Sequence, residues 1–467
     1  MVPLPRGARL ADTVVSNRDP ILKYLDLYPD SEPSIAIDPA APQHIVIAAF
    51  SSCWMVLCDH AGAAALWTSA DGGATWAKSF SIPPPPSGLG VAWCPCDQTI
   101  EYNRSSTLVG TFLTLSLRAG FVYTGSTADP RNALAWRWQT VSGTAIHTNL
   151  EGTNADQPQL LENPDPFSQS RDDTYIAYDD FATHPVTPRV AVAYGTFPPL
   201  FAVDRSIGAG PACCVNPGLR LVGGDPSDAV YALWQQATFD AGASPKITVH
   251  YMLNRSSDGG RTWGLNGSPS GIEVASGASD QTFDSYTGAR YKFGTVNALI
   301  GGIDSAAVDP SDGDLYYVYG FRDPNTSNNR LLIRRITPAS RGRVAIGAPI
   351  FLTGQTQAAL PSVAVTATGV VGVLYDTYDG KSQAGLPIFT AHLAEGRNDA
   401  AAFTDTPLLT FTSPMADNGD PRQRVLGDYQ ELKALGNRFY GTFTANGASF
   451  GRPFANTDAI FFMLSSG

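Results

Sequence analysis

Pro33–Phe50 reads PSIAIDPAAPQHIVIAAF, and Asp304–Phe321 reads DSAAVDPSDGDLYYVYGF. Each is a short apolar strand, a turn rich in Pro, Asp or Gly, and a second strand carrying β-branched and aromatic residues. The unit recurs as QTIEYNRSSTLVGTFL from Gln98, QPQLLENPDPFSQSRDDTYIAYDDF from Gln157, PGLRLVGGDPSDAVYALWQQ from Pro217, PSVAVTATGVVGVLYDTY from Pro361 and DYQELKALGNRFYGTFTA from Asp428. A period of roughly 60 residues is near the length of a large propeller blade. Seven copies predict an all-β, seven-bladed β-propeller with four-stranded antiparallel blades, six blades being the alternative count. Further strands follow each pair, such as ITVHYML near Ile247 and RLLIRRI near Arg330. After the last pair only AIFFMLS remains, so the segment around Thr13 to Val15 is expected to supply the outer strand that closes the ring and removes exposed edges. Residues 1–467 are read as a single propeller domain, with Ile82 to Gly90 and Gly264 to Gly302 as loop-like insertions.

Composition agrees. Of 467 residues, 43% are hydrophobic and only 16% charged, with 45 Gly and 35 Pro, which suits short strands joined by many turns. The 31 Lys and Arg against 42 Asp and Glu give a formal net charge of -11, which repels phosphate backbones and anionic lipid. Nucleic acid is excluded as a partner on this ground. No apolar run approaches the roughly 20 residues of a membrane span, so no membrane insertion is expected. The opening MVPLPRGARLADTVV lacks a charged head and apolar core, and the expectation is that a secretory signal was removed. Six cysteines fall in three local pairs, Cys53 with Cys58, Cys94 with Cys96, and Cys213 beside Cys214. An even count fits disulfides in an oxidising compartment, hence a secreted, periplasmic or cell-surface protein. Their connectivity stays open, although a bond between adjacent Cys213 and Cys214 would be strained. The six histidines show no HxH or HExxH spacing, so no transition-metal site is supported.

Two octapeptides share the pattern S-x-D-G-G-x-T-W: Ser69-Ala70-Asp71-Gly72-Gly73-Ala74-Thr75-Trp76 and Ser256-Ser257-Asp258-Gly259-Gly260-Arg261-Thr262-Trp263. This string resembles the Asp-box, or BNR, repeat of sialidases and their relatives. In chemical terms, Asp accepts bonds from the turn's own backbone, the Gly pair supplies unusual backbone angles, and Trp packs between blades. Ser69, Asp71, Gly73, Trp76, Ser256, Asp258, Gly260 and Trp263 are therefore structural, on the hairpins between third and fourth strands of the first and fourth blades. The resemblance places such boxes on the face away from the active site.

In a propeller, the corner entering each innermost strand and the exit of each second strand open on one face, around the central channel. Substrate contacts are therefore expected from Glu32, Asp156, Gln157, Asp304, Asp179, Asp180, Arg322, Asp376 and Arg424. Acids gathered at one mouth must be paired, bound to a cation or used in chemistry, although a single Asp at a strand end more often caps a turn. Asp428-Tyr429-Gln430-Glu431-Leu432 resembles the Tyr-Ser-x-Leu corner carrying the nucleophilic tyrosine of sialidases. That resemblance implies Tyr429 as nucleophile, Asp428 as a carboxylate able to take its proton, and Asp59 near the acid/base position. Where sialidases carry Arg-Ile-Pro, the first corner here is Ser31-Glu32-Pro33, which would repel an acidic sugar.

Two functions follow. One is a secreted glycosidase or polysaccharide lyase acting on a glycan at the channel mouth. The other is a non-catalytic propeller that binds a glycan or a protein at the cell surface. Neither requires a cofactor, and a structural calcium at the acidic mouth is compatible with both.

Overall fold

A computed structural model describes residues 7–13, 30–51, 65–82, 96–115, 120–139, 155–183, 185–208, 218–240, 246–279, 283–284, 288–299, 304–352, 355, 357–397, 402–417, 425–451 and 456–466. Seven antiparallel sheets form blades along these segments, the first six with their strands in chain order. The first blade runs Asp30–Ile37, Ile45–Ser51, Ala65–Ser69, Ala77–Ser81. The second runs Cys96–Tyr102, Leu108–Leu115, Gly120–Thr127, Arg137–Trp138. Ala155–Asp165, Ser168–Asp180, Thr187–Tyr194 and Phe201–Ser206 make the third. Arg220–Val222, Val230–Asp240, Lys246–Ser256 and Ile272–Ser279 make the fourth. The fifth holds Asp304–Val308, Leu315–Arg322, Asn329–Ala339 and Arg343–Ile346, with Ile350–Phe351 also on its third strand. The sixth holds Ala358–Val365, Val370–Lys381, Pro387–Arg397 and Thr404–Thr412.

The seventh blade takes Glu431–Leu435, Arg438–Asn446 and Thr457–Ser465 from one end of the sequence and Arg9–Asp12 from the other. Arg9 lies opposite Met463 and Asp12 opposite Ile460, and Thr13 N donates to Ala459 O at 3.2 Å. The closing strand thus sits slightly earlier than Thr13 to Val15. In that register Leu10 packs on the core, and Arg9 donates to the carbonyls of Asp71 and Gly72 on the first blade.

Second strands explain the continuous apolar runs of the repeat. Val370–Lys381 is buried through its first eight residues, because both faces are covered by neighbouring blades. Tyr316 and Val318 of the fifth blade pack in this way with Val363, Val373 and Tyr375 of the sixth.

The stretch Gly264 to Gly302 corrects the expectation of a loop. It contains the fourth strand of the fourth blade, Ile272–Ser279, and a small three-stranded sheet of Phe283–Asp284, Gly288–Phe293 and Val296–Leu299. Small residues dilute its apolar signal, yet Val274 and Ala275 are buried in the strand.

Candidate functional site

First strands of successive blades are stitched side by side around the axis. Ser34 Oγ accepts from Ile100 N at 3.1 Å, Thr99 Oγ1 from Leu160 N at 3.0 Å, Ser305 Oγ from Val363 N at 3.2 Å and Ser362 Oγ from Leu432 N at 2.9 Å. Glu431 completes the step from the seventh blade to the first, its Oε2 accepting from Ile35 N and Ser34 Oγ, both at 2.7 Å. These side chains line an axial cavity of about 400 Å³. Arg220, Asp304 and Tyr429 stand at its inlet end, and Asn163, Gly224 and Pro310 mark the other.

At the inlet end one backbone device recurs. Glu32, Asp97, Gln157 and Leu360 have φ of 50°, 44°, 49° and 55°, each where the pairing of its first strand slips in register. Left-handed backbone costs a non-glycine residue roughly 1–2 kcal/mol, so contacts must hold it. They run from blade to blade: Gln98 Nε2 donates to Glu32 O at 2.6 Å, Gly218 N to Gln157 Oε1 at 2.9 Å, and Asp428 N to Glu32 Oε1 at 2.9 Å. Gln157 of the third blade also reaches Asp428 of the seventh, Nε2 to Oδ2 at 3.4 Å, across the axis.

Carboxyls crowd this end. Burial first, then the charges of Glu32, Asp156 and Asp428, push Asp97 well above the usual carboxylate range. Asp179, opposite Asp156 in the ladder, is raised by burial and by Asp156, with Arg220 opposing. Burial and then Asp379 raise Asp376, while a bond from Gln430 opposes. Asp304 is pushed up to about 7 by burial, moderated by Tyr317, Gln235 and Arg220. Its Oδ1 accepts from Gln235 Nε2 at 2.5 Å and its Oδ2 from the Tyr317 hydroxyl at 2.7 Å. The Arg220 guanidinium lies 5.2 Å from the Tyr429 ring centroid, a cation–π arrangement. The Tyr429 hydroxyl donates to Gln98 O at 3.4 Å.

One level deeper, Lys433 Nζ bridges Glu101 Oε1 at 3.2 Å and Glu431 Oε1 at 3.0 Å. Burial works against this ammonium, but the two carboxylates more than offset it and hold it above its ordinary range. Glu162, beside them, is raised well above the ordinary range, chiefly by burial.

The residues expected from sequence thus fall into three groups. Glu32, Asp156, Gln157, Asp179, Asp304, Asp376, Asp428 and Tyr429 all stand at the inlet end. Asp180 accepts from Ala182 N at 3.0 Å, and its Oδ2 lies 3.9 Å from Arg189, as a turn-capping aspartate does. Arg322 is half-buried at the end of its blade's second strand. Asp59, Arg424, Cys53, Cys58, Cys94, Cys213 and Cys214 lie outside the described residues, and Cys96 opens the first strand of the second blade. Sequence reasoning missed Asp97, Arg220 and the Glu101, Glu431 and Lys433 triad. Their signal is positional, since alternate residues of every first strand face the axis.

Both S-x-D-G-G-x-T-W segments form the same turn at the opposite end. Asp71 Oδ1 accepts from Thr75 N and Asp258 Oδ1 from Thr262 N, both at 2.9 Å, and Ser69 Oγ and Ser256 Oγ accept from Gly73 N and Gly260 N, also at 2.9 Å. Trp76 meets Phe461 of the seventh blade edge-on at 5.2 Å, and Trp263 shares a cluster with Tyr175 and Val192 of the third.

No protein-family description matches the chain, and no curated protein does. Among solved structures, it overlaps the GH93 α-L-arabinofuranosidase of Fusarium graminearum, solved with arabinobiose, at 10% identity and TM-score 0.48, covering 98% of each chain. The α-L-arabinanase of Penicillium chrysogenum, also with arabinobiose, overlaps at 11% and 0.48, again with 98% of each chain covered. A protein of unknown function from Dyadobacter fermentans overlaps at 13% and 0.43, covering 99% of this chain and 100% of that one. These overlaps are too loose to carry any residue role to this chain.

Proposed function

We propose that the chain is a carbohydrate-active propeller working outside the cytoplasm, a glycoside hydrolase whose site is the inlet end of the axial channel. The observation that carries this reading is the meeting of buried carboxyls at that end, Asp304 among them with a pKa of about 7, around the stacked pair Arg220 and Tyr429. Splitting a glycosidic bond needs a carboxyl that holds its proton near neutrality and a second group that activates water or attacks the sugar. An aromatic face with a cation beside it suits a sugar ring and its hydroxyls. The sialidase-like kinship rests on the two Asp turns and on the corner that presents Tyr429, while Glu32 at the first corner speaks against acidic sugars as substrates.

The test is sugar release from a panel of polysaccharides by the wild type, Tyr429→Phe and Tyr429→Ala. Loss in both variants supports a mechanistic hydroxyl, and loss in the alanine variant alone supports a platform. Full activity in both removes Tyr429 from the site. A non-catalytic glycan-binding propeller is the second reading, favoured by one contact set: Asp304 has both oxygens engaged by Gln235 and Tyr317. Binding without release of sugar by any member of the panel would select it.

A further inference from the structure

Among the described residues two cations line the axial cavity, and their surroundings differ. Lys433 is held between two carboxylates, Glu101 and Glu431. Arg220 has none. Its one hydrogen bond to the protein runs from Nη1 to Leu219 O at 3.0 Å, and no carboxylate pairs with it among the described residues. Most of the five N–H groups of its guanidinium are therefore unused. Arg220 is half-buried in the cavity wall, and stacking on the Tyr429 ring at 5.2 Å fixes the plane of its fork. The acids that feel its charge, Asp179 and Asp304, do not neutralise it. Burial outweighs the pull of Arg220, holding Asp179 well above the ordinary carboxylate range and Asp304 at about 7. Asp304 also has both oxygens taken by Gln235 and Tyr317. Below neutrality the guanidinium thus stands in the cavity wall as a cation without a counter-ion, a costly arrangement unless a ligand brings the opposite charge.

We propose that Arg220 seats a carboxylate and that the glycan taken at the inlet end is acidic, a polysaccharide bearing uronic acid residues. The inference rests on the glycan reading above and narrows it. A carboxylate is planar, carries one charge and presents two oxygens that match the guanidinium fork, so the pair forms two parallel hydrogen bonds. A neutral sugar leaves the charge of Arg220 uncompensated. A phosphate ester suits the site less well, because it brings nearly two charges to one guanidinium, and Glu101 and Glu431 one level deeper repel the excess. Glu32 opposes an acidic sugar at the first corner, but it is 0% exposed and absent from the cavity lining, and its Oε1 is held by Asp428 N at 2.9 Å. Its repulsion acts at that corner and not at Arg220, which enters on the fourth blade.

The experiment is calorimetric titration of the full chain with oligomers of galacturonate, glucuronate and mannuronate, their methyl esters, and neutral glucose oligomers. It is run at about pH 6, where the ligand carboxylates are ionised. Esterification keeps the sugar ring and removes the charge, so the ratio of acid to ester reads the carboxylate alone. Wild type, Arg220→Gln and Arg220→Lys are compared. The expected result is that at least one acid binds about tenfold or more tighter than its ester, roughly 1.4 kcal/mol. Arg220→Gln loses that preference, and Arg220→Lys, which keeps the charge without the fork, retains part of it. A preference undiminished in Arg220→Gln places the carboxylate elsewhere and overturns the inference. Should Arg220→Gln fail to fold, the lysine variant decides, and a preference unchanged by loss of the fork overturns it. Equal or weaker binding of every acid relative to its ester overturns the inference and leaves the glycan reading standing. Binding of no oligomer, acidic, esterified or neutral, overturns the inference and counts against the glycan reading as well.

Discussion

Lys433 Nζ lies 3.2 Å from Glu101 Oε1, an ion pair that joins the seventh blade to the second. Glu431 at 3.0 Å supplies the second carboxylate. Removing the only cation of this group leaves two acids inside the channel facing each other. Lys433→Met should therefore cost about 2–3 kcal/mol, below the roughly 3–5 of a fully buried pair because these groups are partly exposed. Urea unfolding measures it. The double variant Lys433→Met with Glu101→Gln should recover part of the loss, and additive losses would contradict the pairing.

Stability should fall as the solution is made more alkaline. Asp97, Asp179, Asp376 and Glu162 are held well above the ordinary carboxyl range, and Asp304 at about 7. Such groups bind more protons in the folded state than in the unfolded one, so their contribution is fully present below the unfolded pKa of about 4 and is lost as pH rises through the folded value. Between pH 5 and 8 the melting temperature should drop, and Asp179→Asn should remove one carboxyl's share of the slope, up to about 1.4 kcal/mol per pH unit. Asp258 acts oppositely. Burial works against its charge, but bonds from Thr262 and Ser256 outweigh it and lower its pKa, so its share is lost only in strong acid.

The two glycines of the first Asp turn should respond differently to alanine. Both have positive φ, 67° at Gly72 and 82° at Gly73, so both substitutions bear the left-handed cost of about 1 kcal/mol. A Cβ at Gly73 would fall 2.1 Å from a ring carbon of Phe461, while at Gly72 the nearest atom is the tip of Arg9 at 3.6 Å. Gly73→Ala is expected to cost at least about 3 kcal/mol in denaturant unfolding, because the clash is with a packed ring. Comparable losses at both positions would contradict this interblade packing. Neither variant should change the titration of the inlet carboxyls, since the turn lies at the far end of the channel.

Deleting residues 1–13 should lower the melting temperature and promote association. Without Arg9–Asp12 the strand Thr457–Ser465 becomes a free edge, and Leu10 no longer covers the core. An unchanged, monomeric protein would show that the closing strand contributes nothing.

Much of the ring was legible because a blade's second strand is covered on both faces and so writes an unbroken apolar run, as VYALW in Val230–Asp240 and VVGVLY in Val370–Lys381 do. The inlet acids were legible as a class, since a corner's position in the repeat fixes the end it occupies. Which of them turn inward was not. That depends on the left-handed residues Glu32, Asp97, Gln157 and Leu360, of which only the aspartate is a type enriched at positive φ. Arg220 escaped notice because its strand, Arg220–Val222, is the shortest of the inner strands and carries little pattern.

The central claim is that the ring brings carboxyls from distant parts of the chain to one end of the axis. Its most direct test is an NMR titration of the Asp97 carboxyl in the wild type, Glu32→Gln and Asp428→Asn. The account predicts titration well above the ordinary aspartate value of about 3.9, lowered in both variants and further in Glu32→Gln. An Asp97 that titrates at its ordinary value, or that ignores both substitutions, would contradict it.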